Sequence, residues 1–310
     1  MRILVVGAGA TGGYFGARLA QAGRDVTFLV RAERAERLRQ KGLRIIGLGE
    51  ETVLAPHLVQ AGEIESPFDL VLLSVKATGL EQAVVDMAPA VGLDTLIVPV
   101  LNGLHHIDLL SARFGSDAVL GGVAKVMTTV DAEGDIVRLA DIQSLRYGAR
   151  RGTVPARLAE LDGALGDAGF SAGLSTDIDR EMWSKWVFIA SVSAVTCLMR
   201  GAVGEVAAVP KGAAFAEAVV GECASVAAAA GHSVPDAAKQ QTLASVTALG
   251  SPMTSSLYRD LTDGRATEVE HVFGDLVERA HRFNVSVPLL ELVTMHLRVH
   301  ENRLKNARPM

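Results

Sequence analysis

The sequence begins Met1-Arg-Ile-Leu-Val-Val-Gly-Ala-Gly-Ala-Thr-Gly12, and this stretch decides the fold class. Its apolar run, residues 3–6, predicts a parallel strand that is buried on both faces. Gly7, Gly9 and Gly12 follow at G-x-G-x-x-G spacing, and a helical pattern continues to about residue 22. In such a unit the first glycine permits the tight turn. The second lets the backbone approach a pyrophosphate, and the third lets the helix pack on the sheet. We therefore predict a dinucleotide-binding unit rather than an ordinary strand-to-helix turn.

The residue that follows the second predicted strand, residues 25–30, favours one nicotinamide cofactor over the other. NAD-binding units place a carboxylate there for the ribose 2′-hydroxyl, whereas this sequence has Arg31, with Arg34 close behind. A guanidinium can hold a 2′-phosphate bidentately, so NADP(H) is the expected cofactor. The alternative is that both arginines only solvate the start of a surface helix. The expected cofactor-binding residues of this unit are Gly7, Gly9, Ala10, Thr11, Gly12 and Arg31.

Composition limits the number of domains, the classes of partner and the location of the protein. The chain has 310 residues, of which 49% are hydrophobic and 21% charged, enough for a large core and two domains. Its net charge of −5 argues against a nucleic-acid partner. Cys197 and Cys223 lack metal or redox spacing, which predicts reduced core thiols in a cytoplasmic protein. We expect no secretion signal. The apolar run at residues 186–199 is too short to span a bilayer, so we predict a buried helix and no membrane partner.

The first half alternates between apolar runs and helical patterns. A hairpin is predicted at residues 43–55, strands at 68–75 and 95–101, and a helix at 78–90. Lys76 and Asn102 follow the two strands. Because ligands bind outside the carboxyl ends of strands in open α/β sheets, we expect both side chains at the ligand edge. A solvated lysine and an ordinary Asn-Gly turn are the alternatives.

The pattern then changes twice. Three short strands at residues 119–127, 135–139 and 144–147 are predicted as antiparallel additions to the same sheet. A helix at 153–168 and a strand at 169–175 complete the α/β part, after which the chain is nearly all helical. We therefore predict a Rossmann-type NADP-binding domain over residues 1–175 and an all-helical substrate domain over residues 176–310.

One helix of the second half carries an isolated lysine. Glu181, Lys185, Ile189 and Ser193 share a stripe at a spacing of four residues. A lysine that enters an apolar helix either extends its ammonium to solvent or is kept for its chemistry, and position alone does not decide between the two.

Several motifs together resemble the ketopantoate reductases (2-dehydropantoate 2-reductases). They cover essentially the whole chain: Gly7 to Gly12, Arg31, Ser74-Val-Lys76, Leu101-Asn-Gly103, Trp183-Ser-Lys185 and Thr267-Glu-Val-Glu270. The resemblance implies a Rossmann domain followed by an all-helical domain. It also implies NADPH-dependent reduction of ketopantoate to pantoate, a step in making pantothenate and coenzyme A.

The resemblance also implies roles for single residues. Arg31 and Lys76 would bind the 2′-phosphate or neighbouring cofactor groups, and Asn102 would contact cofactor and substrate. Lys185 would be the catalytic lysine, Glu268 would orient cofactor and substrate, and Ser256 would help to hold the substrate carboxylate. This chemistry suits the residue types, because an ammonium can both polarise a ketone oxygen and protonate it after hydride transfer.

The sequence departs from the family on the lysine helix. The family often has asparagines one and two turns after the lysine, where this chain has Ile189 and Ser193. Serine can still donate a hydrogen bond to substrate, but isoleucine cannot, and such a loss alters substrate preference more readily than hydride transfer. Another 2-oxo acid or ketone is therefore an alternative substrate. A non-catalytic NADPH sensor is a further alternative, which retention of the lysine disfavours.

Other features receive structural interpretations. His296 and His300 lie four apart without a third ligand, so no metal site is predicted. His105 and His106 follow Asn102 and could touch substrate. The glycines at 121–122 predict a strand bend rather than a second nucleotide loop. The alanine-rich stretch 224–230 predicts close helix packing, with a homodimer contact as one use.

Overall fold

A computed structural model describes residues 1–150 and 157–307 of the chain. Two compact units are present. The first comprises Met1–Leu101 and His106–Asp179, and the second comprises Asn102–His105 and the chain from Arg180 onward. The division at residue 180 lies four residues after the start of the predicted helical domain.

The strands in chain order are Arg2–Val6 (β1), Asp25–Leu29 (β2), Leu43–Gly47 (β3), Glu50–Leu54 (β4), His57–Val59 (β5), Leu70–Leu73 (β6), Leu96–Pro99 (β7), Gly121–Val130 (β8), Ile136–Gly148 (β9) and Ser171–Leu174 (β10). The helices are Ala10–Gln21 (α1), Ala32–Lys41 (α2), Leu80–Met87 (α3), His105–Phe114 (α4), Leu158–Leu165 (α5), Ile178–Met199 (α6), Val203–Ala207 (α7), Gly212–Ala229 (α8), Asp236–Val246 (α9), Ser256–Thr262 (α10), Asp275–Arg282 (α11) and Pro288–Ala307 (α12).

The first sheet is parallel and has the order β5-β2-β1-β6-β7. Its central strand β1 is buried on both faces from Ile3 to Val6, as its unbroken apolar run predicts. Val6 is paired with Leu29 of β2 and with Leu73 of β6, so these three strands end at the same edge. The strand order reverses at β1, which is where ligands bind in such sheets. This arrangement confirms the predicted Rossmann-type α/β fold.

The second sheet corrects the prediction for residues 119–147. Apart from Val119, which forms an isolated parallel bridge to Ile97 of β7, these residues form a separate sheet, ordered β10-β9-β3-β4 with β8 paired to β9. It is mixed, because β9 is parallel to β3 and β10 but antiparallel to β8. The two strands predicted at 135–139 and 144–147 are one 13-residue strand. A register shift between Val126 and Thr128 of β8 lets the ladder continue past the polar middle of β9.

Other predicted elements differ mainly at their ends. The hairpin is present as β3 and β4, which pair antiparallel. Strand β5 and helices α4 and α7 were not predicted. Helix α5 begins at Leu158, and the earlier part of the helix predicted at 153–168 lies outside the described residues. Residues 308–310 also lie outside them.

The apolar run predicted as a buried helix belongs to α6, which is longer than predicted. Two helices, α6 with 22 residues and α8 with 18, are long and apolar enough to cross a bilayer by length and composition. In α6, 67% of the most apolar 18-residue window is buried inside the protein, including Trp186 and Val195. This burial is typical of a core helix, and Val192 and Val195 of α6 belong to an apolar cluster of the second unit.

Candidate active site

The glycine-rich turn after β1 has the backbone that its spacing predicts. Gly7 has a φ of +96°, which only glycine adopts without strain. A Cβ on Gly12 would lie 1.8 Å from Ser74 Oγ and 2.4 Å from the Gly7 carbonyl oxygen, so this position excludes any side chain. A Cβ on Gly9 would meet no atom of the described residues within 4 Å. The turn is therefore closed behind Gly12 and open at Gly9.

Ser74 braces this turn from the end of β6. Its hydroxyl lies 3.2 Å from the carbonyl oxygen of Val6 and 3.1 Å from that of Gly7, and its amide donates to Val6 at 3.1 Å. The sequence includes Ser74 in a motif but gives no sign of this role, because the bonded residues are 67 and 68 positions away.

These features fit the pyrophosphate of a dinucleotide. Helix α1 begins at Ala10 and presents its first amides and positive dipole end beside the open face of Gly9. Its first turn, Ala10-Thr-Gly-Gly13, contains no carboxylate that would repel a phosphate. Ala10 and Thr11 lie within this first turn.

Arg31 and Lys76 lie at the same edge of the first sheet. Arg31 is exposed at the N-cap of α2, and its Nη2 is 3.4 Å from the position of a Cβ on Gly79. Lys76, also exposed, precedes the single helical turn Ala77–Gly79 and accepts a backbone hydrogen bond from Gly79. Within residues 1–150 and 157–307, the Arg31 guanidinium has no hydrogen bond or ion pair. The structure thus brings Arg31 next to the turn that Lys76 begins.

Arg34 is used differently from its neighbour. Its guanidinium donates to the carbonyl oxygens of Ala8 at 3.1 Å and Gly134 at 2.9 Å, so it is bonded to the backbone. Arg34 therefore does more than solvate the start of α2, which was the alternative for both arginines.

Asn102 lies in a segment that belongs to the second unit. Gly103 has a φ of +75°, and a Cβ there would lie 2.2 Å from the His271 carbonyl oxygen and 3.9 Å from the Trp186 ring. The Asn-Gly pair therefore makes a turn, and the turn also permits a close backbone approach. His105 continues the contact, with its ring edge-on to that of His271 at 5.2 Å between centroids.

Lys185 and Glu268 lie close in sequence to residues that pack in the same region as Gly103 and His271. Trp186, directly after half-buried Lys185, donates its Nε1 hydrogen to the Val272 carbonyl oxygen at 2.9 Å. Val272 lies in the π-helical turn Glu270–Gly274, a rare conformation that is frequent at functional sites. Glu268 is half-buried just before this turn, and its carbonyl oxygen accepts from the Val272 amide at 3.0 Å. Each of the three predicted catalytic residues is thus near a residue of one packed cluster, Gly103, Trp186 and His271–Val272.

The predicted substrate residues Ser193 and Ser256 lie elsewhere on the second unit. Ser193 is fully buried in α6, and its hydroxyl has no hydrogen-bond partner in the described part of the chain. Ser256 is exposed at the first position of α10, and the buried residue before it, Ser255, lies 3.2 Å from the Thr196 hydroxyl. Thr196 is eleven residues beyond Lys185, about 16 Å along the helix. The structure therefore groups Ser256 with the far end of α6 and leaves half-buried Ile189 next to Lys185 on the stripe.

The histidine pair on α12 has no metal-binding neighbours. His300 Nε2 lies 2.9 Å from the Arg265 carbonyl oxygen, and burial beside Arg200 lowers the pKa of His296. Across residues 1–150 and 157–307, no group of three His, Cys, Asp or Glu side chains could hold a metal ion.

Comparison with known families covers both units. Residues 3–152 match the sequence model of "Ketopantoate reductase PanE/ApbA", and residues 177–301 match that of its C-terminal domain. The chain belongs to the ketopantoate reductase family. Members use nicotinamide cofactors, which agrees with the open glycine-rich turn of the first unit, so the protein is an oxidoreductase of this family.

Individual proteins resemble the chain over nearly its full length. An uncharacterized oxidoreductase of Bacillus subtilis, YkpB, is 34% identical over 97% of this chain and 99% of its own. A solved 2-dehydropantoate 2-reductase from Methylococcus capsulatus is 28% identical, with a TM-score of 0.85 over 100% of this chain and 99% of its own. D-mandelate dehydrogenase, solved with NADH and anilino(oxo)acetate, shares the fold at 22% identity, with a TM-score of 0.88 over 98% of this chain and 100% of its own.

Proposed function

We propose that this protein reduces the ketone of a 2-oxo acid with NADPH, and that ketopantoate is its first candidate substrate, with pantoate as product. The observation that carries the proposal is the packed cluster of the second unit, which fixes the backbone around Asn102, Lys185 and Glu268. Retention of all three in a chain that also has a complete dinucleotide turn supports catalysis over cofactor sensing, because binding alone does not require an ammonium.

Lys185, Asn102 and Glu268 have different roles in the proposed reaction. The bound cofactor supplies a hydride to the ketone carbon, and negative charge then develops on the carbonyl oxygen. Lys185 Nζ stabilises that charge and gives the oxygen its proton, after which solvent reprotonates the amine. The Asn102 amide donates a hydrogen bond to the reacting groups, and the Glu268 carboxylate accepts hydrogen bonds that hold them in line. The Trp186 bond to Val272 limits how α6 can rotate and so helps to set the position of Lys185.

Arg31 is the proposed ligand of the 2′-phosphate. It is exposed at the end of β2, it is not engaged by another described side chain, and it lies beside the turn that Lys76 begins. We expect Arg31→Ala to raise the KM for NADPH about tenfold or more and to leave that for NADH unchanged, since the lost partner is a charged group. Arg39→Ala, an exposed arginine later on the same helix, is the matched control. An unchanged NADPH preference in Arg31→Ala would remove this assignment.

The substrate is tested by NADPH oxidation with ketopantoate and with a panel of other 2-oxo acids and bulkier ketones. Efficient turnover of ketopantoate supports the role in pantothenate and coenzyme A biosynthesis. Cofactor binding without turnover of any carbonyl compound would support the sensor instead.

A second candidate is reduction of a 2-oxo acid with a more apolar side chain, and Ile189 favours it. This residue lies one turn from Lys185, where an amide would offer hydrogen bonds to a substrate hydroxyl. We expect Ile189→Asn to shift the ratio of kcat/KM values toward ketopantoate by roughly tenfold. Ile189→Leu is the control for packing, and an equal ratio in wild type and Ile189→Asn would exclude Ile189 as a determinant.

A further inference from the structure

Arg34 joins two parts of the first unit that are far apart in the sequence, around Ala8 and around Gly134. Its Nη2 donates to the Ala8 carbonyl oxygen inside the glycine-rich turn, and its Nη1 donates to the Gly134 carbonyl oxygen. Gly134 belongs to residues 131–135, here called the β8–β9 turn. The guanidinium therefore connects the first sheet's ligand edge to the second sheet.

The β8–β9 turn provides a fixed anchor for this connection. The Asp135 amide donates to Asp131 Oδ1 at 2.8 Å, and backbone hydrogen bonds of 3.1 and 3.2 Å close the turn. Gly134 has a φ of +87°, and a Cβ there would lie 2.7 Å from Arg34 Nη1. Glycine is thus required both for the turn and for the approach of the arginine.

Holding a carbonyl oxygen also orients the next amide. The peptide bonds of the described residues are trans, so the Ala8 carbonyl and the Gly9 N–H point in opposite directions. Because Arg34 holds the Ala8 oxygen, the Gly9 amide is directed away from the guanidinium. Ser74 holds the Gly7 oxygen in the same way, and Thr128 of β8 donates to the Ala10 oxygen at 3.0 Å. Three side chains thereby hold the peptide planes that follow Gly7, Ala8 and Ala10.

We propose that Arg34 is a positioning residue for the dinucleotide, which it serves by anchoring the Ala8 carbonyl to the β8–β9 turn and so directing the Gly9 amide at the pyrophosphate. This inference rests on cofactor binding at the glycine-rich turn, as in the proposed function. It differs from a 2′-phosphate contact in one measurable way. NADPH and NADH share the pyrophosphate, so loss of Arg34 weakens both, whereas loss of Arg31 weakens NADPH alone.

The test is a fluorescence titration of the full chain with NADPH and, separately, NADH. We expect Arg34→Ala to raise both dissociation constants by the same factor, roughly tenfold. We expect Arg34→Lys to recover only part of the loss, because one ammonium cannot reproduce a planar bridge to two carbonyl oxygens. At saturating NADPH, kcat should stay within about twofold of wild type, since Arg34 does not touch the reacting atoms. Arg39→Ala serves again as the charge-matched control.

Other outcomes are equally decisive. Weaker binding of NADPH alone in Arg34→Ala, unchanged binding of both cofactors, or full recovery in Arg34→Lys would each overturn the proposal. Thermal unfolding without cofactor shows whether each variant is folded at the titration temperature. If Arg34→Ala is not folded, Gly134→Ala tests the bridge from its other end, and the same equal loss of both cofactors is expected. If wild type binds neither cofactor, the proposed function fails as well, which separates that failure from a failure confined to the Arg34 variants.

Discussion

The glycine-rich turn of the first unit and the lysine helix of the second are positioned by different means. In the turn, the backbone itself is held, because Ser74, Arg34 and Thr128 fix carbonyl oxygens and Gly12 leaves no space for a side chain. On α6, buried side chains hold the helix, among them Trp186 with its bond to Val272, and the stripe beside it consists of side chains. A site built from backbone accepts few substitutions, whereas a stripe of side chains can change its ligand by single replacements. Replacements in the turn should therefore change cofactor binding, and a replacement at Ile189, on the stripe next to Lys185, should change substrate choice.

The largest expected effect separates chemistry from cofactor binding. Lys185→Ala should lower kcat by about 10²- to 10⁴-fold, the usual contribution of a general acid, while the dissociation constant of NADPH stays within a small factor of wild type. Steady-state kinetics and a cofactor titration measure the two quantities. Undiminished activity in this variant would contradict the proposed mechanism. The lysine helix would then have no assigned role in catalysis.

A substitution in the glycine-rich turn should instead weaken cofactor binding and lower stability. Gly12→Ala puts a methyl group 2.4 Å from the Gly7 carbonyl oxygen, so we expect a loss of about 1 to 3 kcal/mol in the free energy of unfolding and weaker binding of both cofactors. Gly163→Ala is the control, because this exposed helical glycine has no described neighbour within 4 Å of its Cβ position, and there alanine should be neutral or stabilising. Equal stability of the two variants would show that the turn is less rigid than its contacts indicate.

The stability of the first unit should also depend on pH. Glu50 accepts from Arg18 at 2.5 Å and Arg138 at 2.8 Å, linking α1 to the second sheet. Burial alone would raise the pKa of Glu50, but these two hydrogen bonds and one from Thr52 lower it below its ordinary value. A carboxyl with a depressed folded pKa contributes stability above its unfolded pKa of about 4.3, and this is lost as the pH falls through the folded pKa.

We therefore expect Glu50→Gln to cost about 1 to 3 kcal/mol near neutral pH and to flatten the loss of stability below about pH 4. Urea unfolding at several pH values measures both. Parallel pH profiles for wild type and variant would mean that Glu50 is not a source of the acid sensitivity.

The last prediction concerns the two buried thiols in the core of the second unit, where we expect almost no reaction in the native protein. Burial raises the pKa of both Cys197 and Cys223 to about 12, so each thiol stays protonated well above neutral pH. We expect neither to react with a maleimide at pH 8 in the native chain, and both to react in denaturant. Rapid native labelling of either thiol would show that this core opens, contrary to the burial of both thiols.

The parts of the fold that the sequence predicts are those with local signatures. The apolar run of β1 and its three glycines specify strand, turn and helix within about twenty residues, and the first sheet follows from repeats of that pattern. The second sheet depends on parallel pairing of Ile45 with Ile136, which no local pattern records. Predicting β8 and β9 as additions to the first sheet therefore failed, although both contain strand-forming residues.

The candidate site divides in the same way. The positions of Gly7, Gly12 and Lys185 follow from motif and periodicity. The bond from Arg34 to Ala8 does not, because it needs the β8–β9 turn to be folded beside α2. The burial of Ser193 could not be predicted from the sequence either. Helical periodicity shows which residues share a stripe, but it does not show where that stripe passes from the surface into the packed interior.

The segment Asn102–His105 restricts how this chain could be recombined with its relatives. It follows β7 directly, yet Gly103 is fitted against the carbonyl of His271, far along the sequence. A chimera joined at residue 180 would take its dinucleotide unit from one parent and its helices from another. It would then combine the Asn-Gly segment of the first parent with the π-helical turn of the second. Exchange of substrate specificity between relatives by swapping whole units should therefore succeed only when these four residues are moved together with the helices.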